Sequence, residues 1–402
     1  FSLWLLVMLG IGMSPALAEN HMEPEIAEVL DIAPVWSGHR VGFALLTHGS
    51  YQYVAFYDQH RRMTVAMRTL ESDQWRFQKL DSQVGWDSHN YITMAVDADG
   101  RLHLSGNMHC VPLVYFRTRQ PYDIRTFERI PQMVGERQKR CTYPKFYKGP
   151  ADELIFAYRD GGSGNGVRIF NVYDTETQSW RRLLDTPLTD GRGRMNAYPV
   201  GPVRGTDGFY HLCWVWRDTP DCSTNHDLSY ARSRDFVHWQ TAAGSPIELP
   251  MTLNTPGLIV DPVPAKGGLI NGNTKIGFDC RGRLIISYHK FDADGATQLY
   301  NARLENGCWK TYQTSDWDYR WYFQGGGSIQ FEIHVSPASC DIEDRLIQPY
   351  SNRKHGSGTW QLDEKTLKPI GKVQRMRPWP GELSRLRSEL PAMQVRRQSD
   401  AG

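Results

Sequence analysis

The sequence predicts an all-β protein built as a β-propeller of four-stranded antiparallel blades. From Val41 onward, short β-rich runs alternate with turn signals, and no long run has the 3.6-residue period of a helix. Hairpins of similar pattern recur along the chain, and each is followed by a second hairpin. Aromatic residues mark the repeats at a spacing of roughly fifty residues, namely Trp75, Phe127, Trp180, Trp239, Trp309 and Trp360. Four strands per repeat with a periodic aromatic residue describe a propeller blade.

The repeats account for about six blades, within the usual range of propellers. The strand-like segment from Ile26 to Trp36 and the segment from Lys372 to Met376 are candidates to close one more, so we expect seven blades, with six as the alternative. The segment from Thr241 to Lys266 is rich in Pro and Gly and is expected to be a long excursion between blades. Residues 379–402 are basic and poorly patterned, which predicts a peripheral or disordered tail.

Residues 1–18 have the pattern of a secretory signal peptide. An apolar run from Phe1 to Gly12 is followed by Ala16-Leu17-Ala18, a small-residue cleavage site. The apolar run is too short to span a membrane. We therefore expect residues 19–378 to form a secreted or periplasmic propeller that has no membrane association once the signal is cleaved.

Composition and charge narrow the class of function. Apolar residues make up 40% of the chain and charged residues 22%, as in folded soluble proteins. The net charge is only +2, so neither nucleic acid nor a membrane surface is expected as the main partner. The aromatic share of 12% suits an all-β core or a carbohydrate-binding surface and does not decide between them. We expect the protein to act as a monomer.

One predicted hairpin brings two histidines together. After the sequence Gly85-Trp86-Asp87-Ser88-His89-Asn90, a strand runs from Tyr91 to Val96, turns at Asp97-Ala98-Asp99-Gly100, and returns towards His109. Because a hairpin places the start of its first strand beside the end of its second, His89 and His109 are expected to lie close together. Two such imidazoles suit acid–base chemistry. The alternative is a pair of partly buried structural histidines.

Corresponding positions in the next hairpins predict a ring of side chains on one face. The first strands open on His89, Tyr143, Tyr198 and Gly272, and the second strands close on His109, Arg159, Arg217 and His289 or Lys290. Each residue taken alone also has a structural explanation. Tyr143 and Tyr198 precede prolines and suit packing at a strand start, Arg159 could pair with Asp160, and Asn90 binds sugar hydroxyls or completes a turn.

Four sequence features resemble polysaccharide lyase families 24 and 25, the propeller ulvan lyases grouped with BNR-repeat proteins. These features are Trp86-Asp87-Ser88-His89-Asn90, the following His109, Thr142-Tyr143-Pro144, and Tyr158-Arg159-Asp160-Gly161-Gly162. The resemblance extends over most of the mature chain. It implies β-elimination on a sulfated rhamnose–uronate polysaccharide of green algae, with His89 and Tyr143 carrying the proton transfers and His109 and Arg159 binding the uronate.

The chemistry of β-elimination needs these residue types. The proton on C5 of a uronate is barely acidic until the adjacent carboxylate is neutralised, and an arginine can do this with two parallel hydrogen bonds. His109 could donate a further hydrogen bond, and His89 has an unperturbed pKa suited to a general base. Tyr143 then protonates the departing O4, or acts as the base if Arg159 lowers its pKa. The sequence leaves this direction open, and catalysis requires no cofactor.

Cysteines and histidines suggest further structural features. Of the seven cysteines, Cys110 and Cys141 either bridge adjacent hairpins or remain buried thiols. A structural zinc site is also expected, because two Cys and two His on neighbouring repeats could form a closed shell. Its proposed ligands are His211, Cys222, Cys280 and His289, with His226 as an alternative ligand.

Two other classes of function compete with a lyase. A sialidase-like glycoside hydrolase needs an acidic pair or a carboxylate-assisted tyrosine, but His and Tyr stand at the ring positions. A non-catalytic carbohydrate-binding propeller would use the same aromatic residues for stacking and would tolerate the loss of His89.

Overall fold

The computed structural model describes residues 26–374, 380–386, 388–389 and 393–400. The signal peptide expected at residues 1–18 lies outside these residues. The chain divides into a small unit, Phe1–Leu30 with Arg375–Arg397, and a large unit, Asp31–Gln374 with Gln398–Gly402. The described part of the small unit contains one 3₁₀-helix, Gly381–Ser384, which falls in the predicted tail. No helix among the described residues has the length and apolar character that a membrane span requires.

The first half of the large unit contains three antiparallel sheets formed in chain order. The first sheet consists of β1 (Ala44–His48), β2 (Tyr51–Tyr57), β3 (Arg62–Thr69) and β4 (Arg76–Gln83). The second contains β5 (Ile92–Val96) and β6 (Leu102–Gly106), and, after the short β7 (His109–Val111), β8 (Tyr115–Thr118), the 3₁₀-helix Ile124–Thr126 and β9 (Phe127–Arg129). The third consists of β10 (Cys141–Lys148), β11 (Leu154–Gly162), β12 (Asn165–Asp174) and β13 (Ser179–Arg182). Strand β7 pairs with β10 and so joins the second repeat to the third sheet.

The second half repeats the same arrangement. The fourth sheet consists of β14 (Asn196–Arg204), β15 (Tyr210–Arg217), the 3₁₀-helix Cys222–Thr224, β16 (Asn225–Ser233), β17 (Trp239–Gln240) and β18 (Ile259–Asp261). The fifth group consists of β19 (Lys275–Phe278), β20 (Leu284–Phe291), β21 (Thr297–Glu305) and β22 (Cys308–Gln313). The last consists of β23 (Ile333–Val335), β24 (Ser339–Cys340), β25 (Leu346–Asn352), β26 (Gly356–Leu362) and β27 (Pro369–Lys372). One parallel pairing, Phe278 with Ser339, joins the last two groups into a single sheet.

The repeated four-stranded antiparallel unit predicted from the sequence is therefore confirmed, and the described strands form six such groups. The segment from Ile26 to Trp36 contains no strand, and its contribution is an isolated bridge between Val35 and Asp58. The expected seventh blade stays a prediction. The marker Trp360 lies on β26, the third strand in the order β24-β25-β26-β27, whereas Trp180 and Trp239 lie on fourth strands.

An aspartate closes several of the hairpin turns in the same way. Asp97 Oδ1 accepts hydrogen bonds from the backbone N–H of Asp99 at 3.0 Å and of Arg101 at 2.8 Å. The intervening Gly100 has φ +85°, a left-handed conformation that glycine adopts without a steric penalty. The same pair of backbone hydrogen bonds recurs in the turns that begin at Asp58, Asp279, Asp292 and Asp341. Local chemistry therefore fixes where each of these turns reverses the chain.

The core lies between successive sheets. One apolar cluster packs the first three sheets together, and others pack the third sheet against the fourth, the fourth against the fifth, and the fifth against the sixth group. Trp180 is typical, because its ring is buried and its indole N–H donates to the Tyr115 hydroxyl at 3.0 Å. Truncating a buried side chain of this size costs about 3–5 kcal/mol. The ends of the hairpins are thus held on a rigid scaffold.

A disulfide adds a covalent link between the fifth and sixth groups. Cys280, in the turn between β19 and β20, is bonded to Cys340 on β24. Cys110 and Cys141 are free thiols, so they do not bridge adjacent hairpins. Cys141 is buried, as the second alternative expected, whereas Cys110 is only partly buried.

Candidate active site

The predicted pairing of His89 and His109 is present. Ile92 on β5 pairs with Gly106 on β6 at the open end of this hairpin. The two histidines lie just beyond this pair, and their rings stack with centroids 4.1 Å apart and an interplanar angle of 21°.

Asp87, which the sequence analysis did not select, holds both imidazoles. Its Oδ1 accepts from the backbone N–H of His89 at 2.8 Å and from His89 Nδ1 at 2.6 Å. Its Oδ2 bonds His109 Nδ1. An ionised carboxylate can only accept hydrogen bonds, so both imidazoles carry a proton on Nδ1. In a neutral imidazole Nε2 is then the basic atom. The sequence signal that could have identified Asp87 is the spacing Asp-x-His, because an aspartate can bond the backbone two residues further on.

The electrostatics of this cluster favour an ionised carboxylate and a neutral His89. Burial by itself raises the pKa of Asp87, but hydrogen bonds from the His89 amide and the two imidazoles outweigh it and lower the pKa to about 2. Burial lowers the pKa of His89 below its ordinary value; the hydrogen bond to Asp87 opposes this, and the charges of His109 and Arg159 add to it. His89 is therefore a neutral base near pH 7.

Tyr143 lies on the other side of His89, with ring centroids 5.5 Å apart. Its φ is +58°, and the pairing of β10 with β11 shifts register between Thr142 and Lys145. Such a bulge re-aims a side chain out of the regular alternation. Burial raises the pKa of Tyr143 to about 12 against the opposing effect of Arg159, and no hydrogen-bond partner of its hydroxyl is found among the described residues. The phenol is therefore protonated and free to donate.

Arg159 is a buried cation that has no counterion in the part of the chain that the structure describes. It is 3% exposed, and its guanidinium carbon lies 4.9 Å from the centre of the Tyr143 ring. One nitrogen donates to Thr142 Oγ1 at 3.1 Å and lies 3.4 Å from Cys110 Sγ. Within the described ranges no carboxylate pairs with Arg159, and its Nε has no hydrogen-bond partner. Asp160, the structural partner considered from the sequence, pairs instead with Arg137 at 3.7 Å.

Tyr198 and Arg217 continue the same row of side chains. Tyr198 lies edge-on to Tyr143 at 6.2 Å, and its hydroxyl bonds Ser163 Oγ at 2.6 Å. The guanidinium of Arg217 lies 5.4 Å from the centre of the Tyr198 ring. Arg217 donates to the backbone carbonyl oxygen of Thr219 at 3.0 Å and also to that of Pro220. The hairpin ends of the second, third and fourth repeats thus form one continuous arc.

Other predicted ring members take different positions. Asn90 is buried, and its backbone carbonyl accepts from the Tyr57 hydroxyl at 2.6 Å, which supports the turn; its role in sugar binding stays a prediction. His289 is buried against Trp321, with ring centroids 5.3 Å apart. Lys290 pairs with Asp261 at 2.6 Å. In the fifth repeat, the two candidate ring residues near the end of β20 are therefore occupied elsewhere, one in the core and the other in an ion pair.

The expected zinc shell of His211, Cys222, Cys280 and His289 is wrong as a set. The sulfur of Cys280 is committed to the disulfide, so it offers no thiolate. The two ring nitrogens of His211 bond the Tyr230 hydroxyl at 2.7 Å and Asp207 at 3.1 Å. The alternative ligand His226 is held between Asp218 and Asp227.

One other group among the described residues has the spacing of metal ligands. Ligand atoms of Asp87, His89 and His109 lie within 4.8 Å of one another. The same atoms make direct hydrogen bonds, including the 2.6 Å contact between Asp87 and His89. Metal binding would require removal of those protons, so the geometry fits a proton-transfer site better than a metal site.

Comparison with known proteins gives a consistent picture. Residues 51–317 match a family described as "BNR repeat-containing family member". An ulvan lyase, long isoform, from Alteromonas sp. (strain LOR) is 49% identical over 121 residues, which are 28% of this chain and 12% of that protein. An ulvan lyase, long isoform, from Glaciecola sp. (strain KUL10) is 46% identical over 62 residues, 15% of this chain and 6% of that protein. The matches thus span only a small part of these curated relatives.

Solved structures establish the fold. An ulvan lyase of polysaccharide lyase family 25 superposes with a TM-score of 0.59 at 14% identity, covering 86% of each chain. An ulvan lyase of the same family bound to -[GlcA(1-4)Rha3S]- superposes with a TM-score of 0.60 at 13% identity, also covering 86% of each chain. Together with the repeated four-stranded sheets, this likeness identifies the architecture as a β-propeller.

Proposed function

The chain belongs to the BNR repeat-containing family, and from this premise we propose that it is a polysaccharide lyase. Its substrate is a uronic-acid-containing sulfated polysaccharide of the ulvan type, which it cleaves by β-elimination. The observation that carries this proposal is the buried guanidinium of Arg159, which no carboxylate of the described residues neutralises and which lies beside a protonated tyrosine and a histidine pair.

The substrate carboxylate is the missing partner of Arg159. An unpaired buried charge is costly for a protein to keep, and an anionic ligand in this place would remove that cost. With the uronate carboxylate on Arg159, its negative charge no longer opposes removal of the C5 proton. Thr142 and Cys110 keep the guanidinium in position through the contacts at 3.1 and 3.4 Å. Arg217 and Tyr198, next along the arc, are proposed to bind the same saccharide chain.

His89 is the proposed base. Its Nδ1 proton is held by Asp87, so Nε2 presents a lone pair to C5. His109 bonds the other oxygen of the same carboxylate, and its ring stacks on that of His89 with centroids 4.1 Å apart. In this proposal His89 accepts the C5 proton, and His109 beside it binds the uronate carboxylate.

Tyr143 is the proposed acid. As His89 takes the C5 proton, the electron pair of that bond forms the C4–C5 double bond, the C4–O4 bond breaks, and the Tyr143 hydroxyl gives its proton to O4. The raised pKa of Tyr143 supports this direction, because a tyrosine acting as the base would need a lowered one. Proton exchange with water restores both groups, so the reaction requires neither a cofactor nor a redox partner.

A sialidase-like hydrolase is less well supported by the same residues. Hydrolysis of this type needs an acidic pair or a tyrosine that a carboxylate assists. Asp87, the carboxylate of the arc, is already occupied by two imidazoles. A non-catalytic binding module would not need the proton on Tyr143 or the basic Nε2 of His89.

The proposed setting is outside the cytoplasm, as a secreted or periplasmic monomer. The disulfide between Cys280 and Cys340 supports an oxidising compartment. The experiment that tests the proposed function is an absorbance scan of the purified protein with ulvan and other uronate polymers. A lyase releases a double bond conjugated with the carboxylate, which absorbs in the ultraviolet. Cleavage that yields only saturated ends would exclude the lyase, and an intact polymer would indicate a binding module.

A further inference from the structure

Trp86 is an exposed aromatic residue directly beside the proposed base cluster. Its exposed fraction is 68%, and no other tryptophan among the described residues is exposed. Its Cα is one peptide unit, about 3.8 Å, from that of Asp87. Tryptophan is enriched at binding interfaces because its side chain combines a large apolar face with a polar N–H group. None of the contacts that assemble the imidazole pair requires this indole.

The indole is held in place by its surroundings. It packs at 76° to the ring of Trp36, with centroids 5.3 Å apart. Trp36 in turn lies against Gly38, where a Cβ atom would come to 3.0 Å from its ring, which is closer than side chains usually approach. The backbone N–H of Trp36 donates to the Tyr57 carbonyl at 3.0 Å. Two rigid aromatic rings therefore form a ledge that loses little conformational entropy on binding.

A second contact fixes the loop that carries Trp86. The hydroxyl groups of Ser88 and Ser328 lie 2.7 Å apart and join this loop to a distant segment of the chain. Within the loop, the Asn90 N–H donates to the Asp87 carbonyl at 3.2 Å. The exposed ring is thus presented by a tied loop rather than by a free one.

We propose that Trp86 is a stacking platform for a sugar unit next to the cleaved linkage. This inference rests on the proposed function. A pyranose ring has an apolar face of C–H groups that can lie on an indole, while its hydroxyl groups and sulfates remain in water. A polymer with its uronate between Arg159 and the imidazoles continues past the imidazoles, and Trp86 is an exposed aromatic side chain next to them in the chain. The platform binds the substrate and takes no part in proton transfer.

The test compares the wild-type protein with Trp86→Ala, Trp86→Phe and the control Phe77→Ala. Phe77 is also exposed, at 46%, but lies on β4 of the first sheet. Initial rates with ulvan are followed by ultraviolet absorbance. For Trp86→Ala we expect KM to rise by about 2- to 12-fold, the range of one aromatic contact, with kcat within about 2-fold of wild type. Trp86→Phe should regain most of the affinity, and Phe77→Ala should match wild type.

Gel electrophoresis through polyacrylamide that contains ulvan measures binding without catalysis. The wild-type protein and Phe77→Ala should be retarded, and Trp86→Ala should migrate faster than both. An unchanged KM in Trp86→Ala, or a fall in kcat with KM unchanged, overturns the platform. If the wild-type protein releases no absorbing product, the lyase proposal is wrong, and the gels still decide the platform. Reduced retardation of Trp86→Ala supports it, and equal migration of all variants overturns it.

Discussion

The substitution Asp87→Asn tests the proton-transfer cluster most directly. Asn has the same shape, but its amide nitrogen cannot accept a hydrogen bond, so only one imidazole keeps an acceptor for its Nδ1 proton. A hydrogen bond to a charged group contributes about 1.5–3 kcal/mol. Because the carboxyl group is 33% exposed, we expect the lower half of this range. This corresponds to a fall of about 10- to 40-fold in kcat/KM.

The pH dependence of kcat/KM distinguishes a role of Asp87 in proton transfer from a loss of folding. Asp87 raises the pKa of His89 against the larger effect of burial, so its removal should lower that pKa further. The base is active when unprotonated, and the acid limb of the kcat/KM profile should therefore move to lower pH while the maximum falls. The assay is the initial rate of ultraviolet absorbance across pH, together with the melting temperature. The matched control is Asp99→Asn, an exposed turn aspartate paired with Arg101. Wild-type activity and an unshifted acid limb in Asp87→Asn would refute the assignment.

Three further outcomes are expected. Tyr143→Phe keeps the ring but removes the proton donor, and kcat should fall by about 10²- to 10⁴-fold. Retardation of this variant in gels that contain ulvan should be unchanged. Full activity would exclude Tyr143 as the acid. Arg159→Met should abolish measurable turnover while the melting temperature stays the same or rises, since no carboxylate among the described residues neutralises the buried cation. A markedly lower melting temperature would indicate a structural role instead. The double substitution of Cys280 and Cys340 by Ser opens a loop with a sequence separation of 60 residues. Calorimetry should show that this double variant loses about 2–4 kcal/mol of folding stability, while the pH profile of kcat/KM stays the same. An unchanged melting temperature would contradict this prediction.

The sequence by itself determined the repeated hairpins and the positions of the arc. Alternation of apolar residues and Asp-Gly turns are local signals, and the turn at Asp97 forms through hydrogen bonds within five consecutive residues. A hairpin with a fixed turn also fixes which residues meet at its open end. For this reason the contact between His89 and His109 could be predicted without a structure.

The hydrogen-bond partners, charge pairing and burial of the site residues were harder to predict from the sequence. The bond between Asp87 and His109 joins residues 22 positions apart, and nothing near Asp87 indicates that its second oxygen has this partner. That Arg159 has no counterion among the described residues is also a property of the folded chain. It depends on Asp160 turning towards Arg137. The direction of proton transfer could be proposed only when the burial of Tyr143 was known.

The zinc prediction was wrong because cysteine and histidine partners are chosen by long-range packing. Cys280 meets Cys340, which belongs to the next group of strands, and His289 is buried within β20 against Trp321. Neither contact has a signal in the residues beside them in sequence. The periodicity and turn chemistry of the chain determined the strands and the hairpin ends, because those depend on neighbours within a few residues. Only the tertiary structure decided charge pairing, burial and sulfur chemistry, because these depend on which repeats pack against one another.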